Sequence, residues 1–256
     1  REGQECPECD ARFRPPDRLR MIDKRIRNAA EAVADITDGS SIMIGGFGEA
    51  GSPIELIHAL IDQGASDLTI ISNNTGSGEV GLAALLKSRR VTKVICSFPK
   101  SANSTVFPEL YGEGFTELEL VPQGTLAERI RAGGAGIPAF YTPTAVGTQL
   151  AAGKEEREFK GRRYLLEHGL TADFALIKGS KADTHGNVVY NKTARNFAPI
   201  MAMAANTTIA QVKEVVQPGV LDPETVITPG IFVERVTEIA EPSHESALIE
   251  AGVTYP

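Results

Sequence analysis

Short apolar runs rich in β-branched residues alternate with amphipathic stretches along most of this chain. The runs at Ser41–Ile44, Leu68–Ser72, Thr92–Ser97, Glu117–Val121, Ile137–Tyr141 and Phe174–Lys178 have the length and composition of strands. Between most of them, Pro53–Gln63, Gly78–Arg89 and Thr125–Ala132 repeat apolar residues at helical spacing. Such alternation predicts an α/β fold with a mainly parallel sheet covered by helices. Upstream, Ile22, Ile26, Ala29, Ala30 and Val33 predict another helix within "MIDKRIRNAAEAVADI". After Gly153 the texture changes. "EEREFKGRRYLLE" reads as a hairpin across Lys160-Gly161, and "KADTHGNVVYN" as strands turning at His185-Gly186-Asn187. A Met/Ala-rich helix over Arg195–Ala205 and a strand over Thr208–Val215 complete the pattern, with Met201 and Met203 read as core.

The first twenty residues, "REGQECPECDARFRPPDRLR", carry no such periodicity. Met21 reads as a natural start, so residues 1–20 are expected to be an extension without order and 21–256 a single domain, with no repeat or long linker. Cys6 and Cys9 have the spacing of half a zinc site. Only Cys96 and four scattered histidines remain to complete one, so no metal centre is expected.

Composition narrows the classes of function. A chain of 256 residues with 42% hydrophobic and 23% charged residues is long enough for a large core and ordinary for a globular protein. A net charge of −7 without a basic block argues against nucleic acid as a partner. No apolar run has membrane-spanning length, and three cysteines suit a reducing compartment, so a cytoplasmic protein is expected.

The chemistry gathers in "SSIMIGGFGEAGSPIELIHALI", residues 40–61, where Gly46-Phe47-Gly48-Glu49-Ala50-Gly51 spells G-x-G-x-x-G between a strand and a helix. Glycines permit a sharp turn, and the helix N-terminus presents unpaired N–H groups suited to phosphates, carboxylates or oxyanions. A nicotinamide or flavin site requires in addition an acidic residue ending the second strand, for the ribose hydroxyls. That strand ends in Asn73-Asn74, and Pro53 starts the helix late for a dinucleotide fingerprint. A dinucleotide-dependent oxidoreductase is therefore the weaker reading.

"DGSSIMIGGFGEAGSP", residues 38–53, resembles the signature of the A (α) subunits of class I CoA-transferases: Asp38-Gly39, then Ile42-Met43-Ile44, Gly45-Gly46-Phe47, Gly51 and Pro53. "LTIISNNTGSGEVGLAALL", "VPQGTLAERIRAGGAGIPAFYTPTAVGT" and "ADFALIKGSKADTHGNVVYNKTARNFAPIMAMAA" are similar to further blocks of that family, whereas residues 1–20 have no counterpart. The resemblance implies an open, mainly parallel sheet with helices on both faces and added β-hairpins. It implies ping-pong transfer of CoA through a glutamyl-CoA thioester, with a CoA thioester as substrate and no permanently bound cofactor. In the family the attacking glutamate lies in a Ser-Glu-Asn-Gly segment of the B subunit. No Glu is followed by Asn in this chain. The resemblance thus implies half of a heteromer, a heterodimer or α2β2, with no catalytic nucleophile of its own. "VICSFPK" and "VITPGIFVERV" resemble members of the β-ketoadipate pathway of aromatic catabolism, which use succinyl-CoA and the 3-oxo acid 3-oxoadipate. Members acting on acetoacetate are the alternative.

Carried over residue by residue, the loop Gly45, Gly46, Phe47, Gly48, Glu49, Ala50 and Gly51 is expected to bind CoA. Asn73, Asn74 and Gln123 are expected to line the substrate pocket. Neutral amides can hydrogen-bond a carboxylate or thioester oxygen without neutralising a partner's glutamate. The plainer readings are a turn at Asn73-Asn74 and a helix cap at Gln123. Lys181, Lys192 and Arg195 could pair with a dicarboxylate or simply be solvated charges. His58 and His185 lack a nucleophile motif, and Cys96 reads as core.

Overall fold

A computed structural model describes residues 22–100 and 103–255. The start at Met21 and the Cys6/Cys9 pair lie outside the described residues. In chain order, β1 (Arg25–Ile26) and α1 (Ala29–Ala32) precede β2 (Ser41–Ile44), α2 (Ile54–Gln63), β3 (Leu68–Ser72) and α3 (Gly81–Lys87). Then come β4 (Val91–Cys96), α4 (Val106–Gly112), β5 (Glu117–Leu120), α5 (Gln123–Gly134), β6 (Ala139–Thr142), β7 (Glu156–Phe159) and β8 (Arg162–His168). The last part comprises β9 (Ala172–Lys178), β10 (Lys181–Asp183), β11 (Val188–Val189), α6 (Ala198–Ala204), β12 (Ala205–Val212), β13 (Glu214–Val216), β14 (Arg235–Glu238) and α7 (Glu245–Glu250).

Eight strands form one sheet in the order β1-β14-β12-β9-β2-β3-β4-β5. Every pairing in it is parallel. From β2 the chain steps outward through β3, β4 and β5; from β9 it steps the other way through β12 to β14. The neighbours β2 and β9 thus mark the point where the winding reverses, and in open α/β sheets the crevice beyond the strand ends at such a point is where ligands bind.

Alternate side chains of the strands feed two cores, one on each face. Ile42, Ile44, Ile70, Val94, Leu176 and Ile209 pack with α1 to α4. Met43, Ile71, Ile95, Ala175, Ile177 and Ala210 pack with α5 and α6. Burial on both faces explains why these strands read as near-continuous apolar runs. Cys96 in β4 and Met201 in α6 are fully buried, as read from the sequence, while Met203 is half-buried. Burial pushes the Cys96 thiol up to about 12.

The hairpin is tight: Phe159 pairs with Arg162 across Lys160 (φ 51°) and Gly161 (φ 76°), the two left-handed residues of a I′ turn. Four expectations shift. The run at Ile137–Tyr141 is not a strand of the parallel sheet; β6 starts at Ala139 and pairs antiparallel with β8 in a three-stranded sheet, β6-β8-β7. The helix expected from Ile22 shrinks to α1, because Ile26 pairs with Thr237 of β14 and Asn28 accepts the Glu31 N–H as an N-cap. The Arg195–Ala205 stretch splits into a 3-10 turn at Lys192–Arg195 and α6, with Pro199 in the helix's first turn. The strand expected to run from Thr208 to Val215 starts at Ala205 and ends at Val212, after which β13 leaves for the small sheet β11-β10-β13. No helix among the described residues is long and apolar enough to cross a membrane.

Candidate active site at the carboxyl edge of the sheet

Register brings the loop and the amides together. Ile44 lies opposite Ser72 of β3 on one side and Leu176 of β9 on the other. Residues Gly45, Asn73, Ser97 and Gly179 therefore leave neighbouring strands along one edge.

In the glycine loop, Phe47 N–H donates to the Ala50 carbonyl (3.0 Å) and Ser52 N–H to the Glu49 carbonyl (3.1 Å), folding two tight turns. Gly46 (φ 133°), Gly48 (φ 57°) and Gly51 (φ 83°) hold backbone conformations that L side chains rarely adopt. Gly51 is the most constrained, since a Cβ there would lie 2.3 Å from the Ala194 carbonyl oxygen. The loop is tied to the segment before α6 by Asn196. Its Oδ1 accepts from Gly46 N–H (3.2 Å) and its Nδ2 donates to the Ala50 carbonyl (2.8 Å). Phe47 and Ala50 face each other in an antiparallel bridge, and the N–H groups of Gly48, Glu49 and Gly51 have no protein partner among the described residues. Phe47 is exposed and, with Ala50, Thr193, Arg195 and Asn196, lines a small apolar cavity.

Across the edge, the buried Asn73 accepts at Oδ1 from Gln123 Nε2 (2.7 Å) and from Ser97 Oγ (2.8 Å). Both lone pairs of that oxygen are used, and the Asn73 Nδ2 has no protein acceptor among the described residues. Gln123 is the first residue of α5 and makes no cap; its side chain goes to Asn73 instead. Asn74 does make the turn expected of an Asn, accepting Gly76 N–H at 2.8 Å.

On the other flank of the loop, a cleft of about 530 Å³ opens between Glu49–Gly51, the end of β9 at Lys178–Ser180, and the C-terminal residues Pro242, His244 and Ser246. Glu245 is buried beside it and accepts a hydrogen bond from Ser52 Oγ (3.0 Å). Burial pushes its carboxyl up to about 7; Glu49 adds to the rise, while the Ser52 hydrogen bond and Lys178 oppose it. Burial likewise lowers the Lys178 ammonium, against the pull of Glu55, Glu49 and Glu245. His244 Nδ1 lies 3.2 Å from Glu49 Oε1.

Residues 26–239 match the Coenzyme A transferase family. The chain belongs to the coenzyme A transferase family. It is 63% identical over 220 residues to the A (α) chain of the 3-oxoadipate CoA-transferase of Pseudomonas putida, covering 86% of this chain and 95% of that protein. It is 51% identical over 215 residues to the corresponding chain of a probable succinyl-CoA:3-ketoacid coenzyme A transferase of Bacillus subtilis, covering 84% and 90% respectively. Among solved structures, the glutaconate coenzyme A-transferase of Acidaminococcus fermentans superposes with a TM-score of 0.74 at 19% identity, over 86% of this chain and 78% of that one. An acyl-CoA transferase of Escherichia coli O157:H7 gives 0.77 at 23% identity, over 89% and 49%. These structural likenesses show that the fold is that of the family.

Of the other charged candidates, Lys181 forms an exposed ion pair with Glu214 (2.6 Å), and Lys192 is exposed with φ 51°. Only Arg195 stands next to the loop. His58 takes a structural role, its Nε2 accepting from Gly81 N–H at 2.9 Å. The sequence reading missed Ser97, Lys178, Asn196 and Glu245. Asn196 and Lys178 lie within a quoted family-like block, but Glu245 is 193 residues from Ser52 and no local pattern links them.

Proposed function

We propose that this chain is the α half of a heteromeric, cytoplasmic CoA-transferase that moves CoA from succinyl-CoA to 3-oxoadipate. The 63% identity to a chain of that name, spanning 95% of it, carries the reading. A B subunit supplies the glutamate that becomes the glutamyl-CoA thioester, in a heterodimer or α2β2 complex. This chain supplies the other wall of the site. Formation and breakdown of the thioester pass through tetrahedral oxyanions, which preorganised donors stabilise. Asn73 Nδ2, held by its bonds to Gln123 and Ser97, is one such donor. The free N–H groups of Gly48, Glu49 and Gly51 form a second set, suited to the thioester or to an anionic part of CoA. Gln123 and Asn74 border the acceptor acid.

The test is to co-express the chain with its B subunit, then to follow transfer with 3-oxoadipate and with acetoacetate as acceptors. Faster turnover of 3-oxoadipate is expected, and preference for acetoacetate would move the assignment to the 3-ketoacid enzymes. Mass spectrometry after succinyl-CoA without acceptor should find the CoA adduct on the B chain. An adduct on Glu49 or Glu79 would make this chain the catalytic one and overturn the division of labour.

A further inference from the structure

Beyond residue 239, where the family match ends, the chain runs back over the amino ends of α2 and α3. Ser243 N–H donates to Glu55, and His244 meets Glu49. Ile249 fills the space above Gly78, where a Cβ would lie 2.7 Å from Ile249 Cγ1. Tyr255 stacks on His58 at 3.8 Å and donates to Asp62 (2.8 Å), and its N–H donates to the Glu79 carbonyl (3.0 Å). In the middle of this strap, Glu245 is the residue that reaches inside. It meets Ser52, which directly follows Gly51 and closes the second turn of the glycine loop. Gly81 at the start of α3 completes the enclosure, since a Cβ there would lie 2.9 Å from Glu245 Oε1.

We infer that Glu245 is a positioning residue for CoA transfer: through Ser52 it fixes the second turn of the glycine loop, and the strap it anchors forms one wall of the adjoining cleft. The inference rests on the function proposed above as far as CoA is concerned; the latch itself does not.

The Ser52 hydrogen bond favours the carboxylate, but burial against Ser52 and Gly81 makes the charge costlier still, so the enclosed position is held best when the carboxyl is protonated. The charged groups around it come from three elements. Glu49 of the loop disfavours a second negative charge, Lys178 of β9 favours it, and Glu55 of α2 lies across from Lys178. On the strap, His244 is the neighbouring titratable group, paired with Glu49. From α2, His58 faces Gly81 with its pKa lowered by burial. With the Glu245 carboxyl at about 7, the latch is closed at pH 6 and weakened at pH 8, as Glu245 ionises next to Glu49.

Hydrogen exchange of the A–B complex reads this directly. In Glu245→Ala, the hydrogen-bonded loop amides of Gly45, Gly46, Phe47 and Ser52 should lose protection by about tenfold, the scale of one buried hydrogen bond. Glu245→Gln keeps an acceptor for Ser52 Oγ and should restore it. Wild-type protection, corrected for intrinsic exchange, should fall between pH 6 and pH 8; that of Glu245→Gln should not, and the fall should persist in His244→Gln. Steady-state kinetics add a second readout: KM for succinyl-CoA should rise over the same range in wild type and stay flat in Glu245→Gln, with kcat less affected. Unchanged loop protection in Glu245→Ala, or no restoration by Gln, overturns the inference. If the wild-type complex transfers no CoA at any pH, the proposed function falls and exchange alone decides the latch. If exchange behaves as described but KM does not follow pH, the positioning role is overturned.

Discussion

The two flanks of the glycine loop are built on opposite principles. Toward β3, β4 and β5 the edge is neutral: Asn73, Ser97 and Gln123 share one carbonyl oxygen, and each follows its strand by a few residues. Toward β9 and β12 it is charged, with Lys178, Glu49, Glu55 and Glu245 gathered from the loop, a helix, a strand and the distant C-terminal strap. A neutral amide keeps its hydrogen-bonding capacity at every working pH and leaves a neighbouring carboxylate ionised, which suits a wall facing a nucleophile. A crowded charged flank instead sets its protonation by burial and mutual repulsion, which suits adjustment of a loop rather than chemistry.

Variants can break this contrast, and the loop between the flanks is the most sensitive place. Gly51→Val puts a β-branched side chain at φ 83° and against the Ala194 carbonyl, with the added Cβ at 2.3 Å. Transfer activity should fall by more than about a thousandfold and thermal unfolding should show a loss of about 3 kcal/mol or more, the range of severe backbone and packing defects. Gly48→Ala, with open space around its Cβ, should be far milder despite the strain of φ 57°.

On the neutral flank, Asn73→Ala or Gln123→Ala should slow turnover by about 10²–10³-fold, the scale of one lost oxyanion donor, while the thioester still forms. The double variant should be little worse than either single one, because both act through one hydrogen-bonded unit. Strictly additive losses in steady-state kinetics would show that the two amides work apart.

The charged flank predicts a pH signature of stability. Glu245 is raised in the folded chain to about 7 from 4.5. Its contribution is therefore fully present below the unfolded value and is lost as pH rises through the folded one. Denaturant titrations should find Glu245→Gln equal to wild type near pH 4.5 and more stable by up to about 3 kcal/mol at pH 8.5. A constant difference across that range would remove Glu245 as the titrating group. Smallest of all, Lys181→Ala breaks an ion pair half open to solvent and should change stability by less than about 0.5 kcal/mol and activity not at all.

How much could be read from the chain follows the same division. The strands β2, β3, β4 and β9 were legible because burial on both faces makes them largely apolar runs, the edge strand β5 because Glu and Leu alternate in it, and the turn at Lys160-Gly161 because its geometry restricts the residues that fit. The glycine loop and the Asn73–Gln123 pair were legible because each belongs to a local motif, although the hydrogen bond joining them spans 50 residues and does not show in either. Elements of weak periodicity were lost or misjudged. Ile26 reads as helical until β14 offers it an edge, and α4, β14 and α7 are too short to announce themselves. The charged cleft was invisible for a different reason: Ser52 and Glu245, or Glu49 and His244, meet only after the sheet has closed around β2 and β9.

That closure also shapes how the chain emerges from a ribosome. Strand β2 pairs with β3 soon after both are made, but its other edge waits for β9, with Ile42 facing Phe174 across 132 residues of chain. At ordinary elongation rates this interval is on the order of ten seconds. Throughout it, the most apolar strand of the sheet displays an unpaired edge of the kind that recruits foreign strands. The nascent amino-terminal half is accordingly the stage at which this protein is most exposed to misassembly, and the stage at which a chaperone would have most to gain by holding it.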